Sequence, residues 1–285
     1  MTGAVADAVA DAERVLREAG VPDARVDAEL LLGHVAGWSR GQVQARAVTG
    51  ATLAAGAQEA LVALVARRAT REPLQHLTGT APFRSLELRV GPGVFVPRPE
   101  TEGVAQLAID ALRAVAEPAP VAVDLGTGSG ALALALATEV PHARVHAVEL
   151  SPEAAVWTRR NIAATGADVH LVVGDLADAL PELDGTVAVV VSNPPYVPDG
   201  MVPRDPEVRL HDPALALYGG ADGLDVVRVL SRTGLRLLRP GGLLVVEHGE
   251  HQGAAMRDLL TRDGWQGAAT HRDLTGRDRS TTAAR

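Results

Sequence analysis

The chain of 285 residues is 47% hydrophobic but only 2% aromatic, so its core must be built from Ala, Val and Leu, in one large domain or a large and a small one. It has no cysteine, and its 27 basic residues are all arginine. These absences exclude disulfides, thiolate metal sites, a cysteine nucleophile, a Walker phosphate loop and lysine-based chemistry. The formal charge of −8 argues against a nucleic-acid surface.

Residues 1–72 read as helices. Val5, Val9, Ala12, Leu16 and Ala19 recur at helical spacing, and Gly20 and Pro22 stop the first helix. "DARVDAELLLGHVAG" predicts a second helix ending near Gly37, and "TLAAGAQEALVALVARRATRE" a long one that stops before Pro73. Arg67, Arg68 and Arg71 read as a solvated helix face, and the basic 272–285 tail as a solvated end. Asp and Glu interrupt the N-terminal stretch, which excludes a signal peptide, and no run approaches the roughly 18 apolar residues of a membrane span. A soluble, cytoplasmic chain without membrane contact is expected.

Residues 73–99 change character. Leu86, Leu88 and Val90 alternate before Gly91-Pro92-Gly93, which predicts a hairpin linker between two domains. From 100 to 285 strands and helices alternate. "VAVDLG" (121–126), "ARVHAVEL" (143–150), "DVHLVVGD" (168–175), "TVAVVVSN" (186–193) and "GGLLVVEHG" are apolar runs suited to parallel strands covered on both faces. "LADAL", after Asp175, reads as helix-like, and a helix and a weaker strand pair close the chain.

"DLGTGSG" (124–130) follows a strand and opens a helix. Gly126, Gly128 and Gly130 let the backbone approach a ligand and point N–H groups at it, with Thr127 and Ser129 between them. The spacing is not the G-x-G-x-x-G of dinucleotide binders, and Asp124 would repel a pyrophosphate. A carboxylate there suits an ammonium, which points to S-adenosylmethionine. Glu149, at the next strand end, can accept from both ribose hydroxyls. Asp175 and Leu176, after the third strand, stand where an adenine edge and face would lie. No metal site is expected.

Asn193, Pro194, Pro195 and Tyr196 close the fourth of these strands on the same sheet edge. An amide or exocyclic nitrogen is a poor nucleophile because its lone pair is delocalised. Two acceptors, Asn193 Oδ1 and the Pro194 carbonyl, can hold its NH2 hydrogens and turn the nitrogen toward a methyl sulfonium. Pro195 stiffens the loop, and Tyr196 offers a wall for a planar group. Positioning of this kind supplies much of the rate in a displacement.

"NPPY" after "DLGTGSG" resembles the S-adenosylmethionine enzymes that methylate the amino nitrogen of adenine, cytosine or glutamine side chains. With "EPLQHLTG" (72–79), "FVPRPETE" (95–102), "HDPALALYGGADGLDVVRVL" (211–230) and "DLTGRDR" (273–279), the chain resembles the release factor glutamine methyltransferases, the HemK/PrmC family. That resemblance implies an α/β fold: a seven-stranded, Rossmann-like class I methyltransferase domain at 100–285, preceded by a helical substrate-recognition domain (1–72) and a β-hairpin linker (73–99). It implies as substrate the glutamine of the Gly-Gly-Gln motif in class 1 peptide chain release factors. Gly126–Gly130, Glu149, Leu176 and Asn193 would line the cofactor. Asn193, Pro194, Pro195 and Tyr196 would hold the glutamine, and Phe95 and Arg98 would close over it. His248 departs from the family's usual sequence and reads as structural. A monomer acting on protein is expected. The alternatives are a ribosomal-protein glutamine methyltransferase, an adenine-N6 methyltransferase of nucleic acid, and a cofactor-binding scaffold without catalysis.

Overall fold

The computed structural model describes residues 3–285, which divide into two compact units. The first comprises the described residues up to Thr80 together with Pro203–His211. Its helices Val5–Glu18, Ala24–Ala36 and Ala55–Ala69 follow the apolar spacing and bury Val5, Val9, Leu16, Leu31, Leu32, Leu61 and Val65 together. Gly37, at φ 67°, ends the second of them in the left-handed conformation.

A further helix, Arg40–Val48, lacks an apolar stripe because Val43 is its one buried residue. A reciprocal cap holds its start: Gln42 N donates to Ser39 Oγ at 3.3 Å, and Ser39 N donates to Gln42 Oε1 at 3.0 Å. The Ser-x-x-Gln spacing was its only signature in the sequence.

The solvated reading of the arginine cluster holds for Arg67, which is exposed and pairs with Glu72. It fails for Arg68, which is buried. Arg68 Nε donates to Asp27 Oδ2 at 2.8 Å, and its Nη1 lies 2.7 Å from Glu207 Oε1. Arg71 grips the same Glu207 with both arms of its guanidinium, at 2.8 and 2.6 Å. Paired guanidiniums let the unit bury these charges.

The second unit, Ala81–Val202 with Asp212–Arg285, is built on a twisted sheet. The hairpin strands β1 (Thr80–Phe83) and β2 (Leu86–Arg89) pair with each other. Then follow β3 (Val121–Leu125), β4 (Arg144–Glu149), β5 (Val169–Val173), β6 (Val187–Ser192), β7 (Leu238–Glu247), β8 (Gln266–Arg272) and β9 (Asp278–Ala284). Their order in the sheet is β5-β4-β3-β6-β7-β9-β8. The first five are parallel; β9 runs antiparallel to both β7 and β8. β3 and β6 are buried along their whole length, as their unbroken apolar runs require. One face of the sheet packs on Ile109, Leu112, Leu134 and Leu136, the other on Val227, Leu230, Leu237 and Leu260.

The helix expected at "LADAL" does not form. Asp175 Oδ1 instead accepts from Ala177 N at 2.9 Å, which makes a tight turn, and only the short 3-10 helix Pro181–Leu183 follows. Among the described residues no helix is long and apolar enough to cross a membrane.

Candidate active site

The parallel strands deliver the chemistry to one edge. Asp175, Glu149, the glycine loop, Asn193 and Glu247 stand at or just beyond the C-terminal ends of β5, β4, β3, β6 and β7, in that spatial order. The chain winds outward in both directions from β3, and open α/β sheets bind ligands at such a reversal.

Asp124 organises the glycine loop from below. It is wholly buried; its Oδ2 accepts from Thr127 Oγ1 at 2.6 Å and Ala133 N at 3.1 Å. Its Oδ1 is buried with no hydrogen-bond partner among the described residues. Burial pushes this carboxyl up to about 7, against those two hydrogen bonds. Thr158 Oγ1 and Asn161 Nδ2 bind the Gly128 and Ser129 carbonyls at 2.7 and 2.9 Å. Gly126 and Gly128 sit at φ 78° and 58°, and a Cβ at either would point into open space. Side chains are missing there for backbone conformation and for room above the loop. Glu149 accepts from Gly128 N at 2.7 Å and Ser151 N at 2.8 Å, one bond per oxygen, so each oxygen keeps a lone pair. Leu176 is half-buried against the core.

The room above Gly126 and Gly128, the unsatisfied Asp124 oxygen and the lone pairs of Glu149 fit a cofactor that carries an ammonium and a diol and has no phosphate. Among the described residues no cluster of His, Asp and Glu could hold a metal ion.

The Asn193–Tyr196 loop is held by two segments whose roles the sequence did not disclose. Val197 N donates to Leu217 O at 2.8 Å and Gly219 N to Val197 O at 2.9 Å. A Cβ on Gly219 would meet the Pro195 carbonyl at 2.4 Å, and one on Gly223 the Tyr196 carbonyl at 2.2 Å. The "YGGADG" glycines therefore permit backbone to lie directly against the loop. Gln252 Nε2 adds a bond to Tyr196 O at 3.0 Å.

On the side-chain side, Asn193 Nδ2 donates to Thr101 Oγ1 at 3.3 Å, and Thr101 Oγ1 donates to Glu247 Oε2 at 2.7 Å. Thr101 lies inside "FVPRPETE" and could have been singled out there; nothing in the sequence marked Glu247. Arg98 reaches Asp212 Oδ2 at 2.7 Å, and its guanidinium lies 5.0 Å from the Phe95 ring centre. His248 is buried, with Nδ1 2.9 Å from Gly249 O and Nε2 2.9 Å from Thr281 Oγ1, a packing position between β7 and β9.

A seven-stranded sheet with this order and a glycine loop at its reversal defines a class I S-adenosylmethionine-dependent methyltransferase. The 16S rRNA N2 G1207 methyltransferase of T. thermophilus, solved in complex with AdoMet and guanosine, shares the fold. It has a TM-score of 0.54 and 21% identity over 72% of this chain and 49% of that one. The PrmC N-terminal domain family matches residues 7–79, and the methyltransferase small domain family matches residues 85–205. A release factor glutamine methyltransferase of Streptomyces coelicolor is 54% identical over 96% of both chains. A Streptomyces pristinaespiralis protein, the 4-amino-L-phenylalanine/4-methylamino-L-phenylalanine methyltransferase, is 42% identical over 93% of this chain and 90% of that one. The chain belongs to the release factor glutamine methyltransferase family.

Proposed function

We propose that this enzyme methylates the side-chain amide nitrogen (N5) of the glutamine in the Gly-Gly-Gln motif of class 1 peptide chain release factors, and so modulates translation termination. The observation that carries this reading is the orientation of Asn193. Its NH2 is engaged by Thr101, which leaves Oδ1 to accept from a substrate amide.

S-adenosylmethionine, when bound, supplies an electrophilic methyl group on a sulfonium. Asp124, Gly126, Thr127, Gly128, Ser129, Gly130, Glu149, Asp175, Leu176 and Asn193 are the residues we assign to holding it. Asp124 and the loop N–H groups take the amino-acid end, Glu149 the ribose, and Asp175 with Leu176 the adenine. Asn193 Oδ1 and the Pro194 carbonyl accept the two amide hydrogens of the glutamine and aim its nitrogen. Pro195 limits the loop's freedom, Tyr196 walls the planar amide, and Phe95 with Arg98 closes over it. The N–CH3 bond would form as the S–CH3 bond breaks, leaving S-adenosyl-L-homocysteine as product, and the nitrogen gives up one proton to solvent. Held this way, the amide needs no strong base, and none of these residues has to ionise during the transfer.

We assign protein recognition to the helical unit and the hairpin, and a monomer as the acting form, without direct nucleic-acid contact. The helical unit exposes Val48 and Val62 by 88% and 59%. Changing both to Asp in the full chain should raise KM for release factor several-fold and leave cofactor affinity unchanged; an unaltered KM would move recognition elsewhere.

An aromatic amine has the same delocalised lone pair as a carboxamide, so the same acceptors could serve either. Incubation with labelled cofactor and, separately, a class 1 release factor, 4-aminophenylalanine and nucleic acid discriminates among them. Label is expected on the release factor; label on either other acceptor alone would reject the proposal.

A further inference from the structure

Asn193 is tied to a buried carboxyl at the end of β7, outside both the glycine loop and the "NPPY" motif. The Asn193 Nδ2–Thr101 Oγ1 bond of 3.3 Å continues as Thr101 Oγ1–Glu247 Oε2 at 2.7 Å. The other carboxylate oxygen, Oε1, lies 3.5 Å from the Tyr196 hydroxyl. Thr101 and Glu247 are 4% and 2% exposed, so water does not compete for these bonds.

A threonine hydroxyl has one proton to give and lone pairs to accept with, and its partners decide the direction. An ionised Glu247 only accepts. The Thr101 proton must then point at it, and the Thr101 lone pairs face Asn193, which can present only its NH2. Oδ1 is turned the other way. An Asn amide is nearly symmetric in shape, so only its hydrogen-bond network fixes this sense.

We propose that Glu247 is a positioning residue that, acting through Thr101, sets which way the Asn193 amide faces and thereby keeps Oδ1 available to the substrate nitrogen. This deepens the assignment of Asn193 as the group that holds the acceptor amide, and rests on it. Protonation reverses the relay. The Tyr196 hydroxyl donates toward Oε1, so the proton goes to Oε2. Glu247 then donates to Thr101 Oγ1, the Thr101 proton turns to Asn193, and Asn193 flips to offer Oδ1 inward. The substrate then faces an NH2 that cannot accept.

The groups facing Glu247 are Thr101 and Glu100 at the start of the Thr101–Arg113 helix, Tyr196 in the loop and Arg279 on β9. Burial pushes its carboxyl up to about 7; the Thr101 bond and Arg279 oppose this, and Glu100 adds to it. Burial, with Glu247 nearby, raises the Tyr196 hydroxyl well above the usual tyrosine value, so Tyr196 stays neutral throughout. The relay therefore switches in the neutral range, with Oδ1 presented above the midpoint.

The sequence holds two asparagines, Asn161 and Asn193, so isotopic labelling of asparagine yields two side-chain NH2 signals by NMR. In the full-length wild type the Asn193 signal should shift with a one-proton midpoint near pH 7. Asn161, fixed by bonds to Arg89 O and Ser129 O, serves as the reference. Glu247→Gln and Thr101→Val should each abolish that shift, and Thr101→Ser, which keeps the hydroxyl, should restore it.

With cofactor and release factor saturating at pH 8, Thr101→Val should lower kcat about tenfold with KM little changed. Glu247→Gln should remove the acid limb of the wild-type kcat profile. Saturating cofactor keeps any titration of Asp124 at the cofactor loop out of this readout. An Asn193 signal that is flat in the wild type, or that titrates equally in Glu247→Gln, overturns the proposal, as does wild-type kcat in Thr101→Val. If the wild type leaves release factor unmethylated while Asn193 still titrates through Glu247, the substrate assignment fails and the positioning role stands.

Discussion

Glu207 and Glu247 are both buried carboxyls, and their surroundings treat them oppositely. In the helical unit, burial would raise Glu207, but bonds from the Arg71 and Arg68 guanidiniums outweigh it and hold the group well below the usual carboxylate range. In the methyltransferase unit, Glu247 is served by hydroxyls and a more distant Arg279, and burial wins. Asp124, with a hydroxyl and a backbone N–H for partners, follows Glu247. Charge pairing marks a carboxylate whose task is to hold chain segments together; its lack marks two groups at the strand edge to which we assign ligand handling.

The largest test of this contrast is Arg68→Ala, which strands Asp27 and Glu207 without their buried guanidinium. A loss of about 3–5 kcal/mol in unfolding stability is expected by denaturant titration. A loss under 1 kcal/mol would mean that the network is not what holds the Pro203–His211 segment.

The pH dependences have opposite signs. Glu207 titrates lower in the folded chain than unfolded, so its stabilisation is present at neutral pH and lost as pH falls below about 4.5. Glu247 titrates higher, at about 7, so its stabilisation is complete below the unfolded value near 4.5 and is lost as pH rises through 7. Glu247→Gln should accordingly stabilise the protein by on the order of 2 kcal/mol at pH 8 and by much less at pH 5. Equal shifts at both pH values would show that Glu247 is not held neutral by burial.

A smaller effect separates loop backbone from carboxyl chemistry. Gly219→Ala drives a methyl into the Pro195 carbonyl, and should cost about 1–3 kcal/mol of stability together with a fall in kcat. Smallest of all, Arg228→Ala removes pairs to Asp222 and Asp225 that lie in solvent; thermal melting should change by less than about 0.5 kcal/mol.

The contiguous parts were readable in the sequence: "DLGTGSG" and "NPPY" each put several of the groups we assign to cofactor and substrate in one short stretch, and buried parallel strands announce themselves as Val runs. What stayed hidden was assembled across distance. Thr101 and Glu247 are 146 residues apart, and Thr101 and Asn193 are 92 apart, so no local pattern links them. Arg68 looked solvated because its partner Glu207 arrives from far along the chain. "LADAL" looked helical because propensity did not reveal that Asp175 would bind Ala177 N and make a turn. The "YGGADG" glycines were visible as a motif, but their purpose lies in a backbone contact that only the fold creates.

The most direct measurement is a tandem mass spectrum of a class 1 release factor after incubation with S-adenosylmethionine and either wild type or Asn193→Ala. One added methyl on the side-chain nitrogen of the Gly-Gly-Gln glutamine is expected with wild type, formed at least about tenfold more slowly with the variant. A methyl at another residue, or equal rates from both enzymes, would contradict the proposed function.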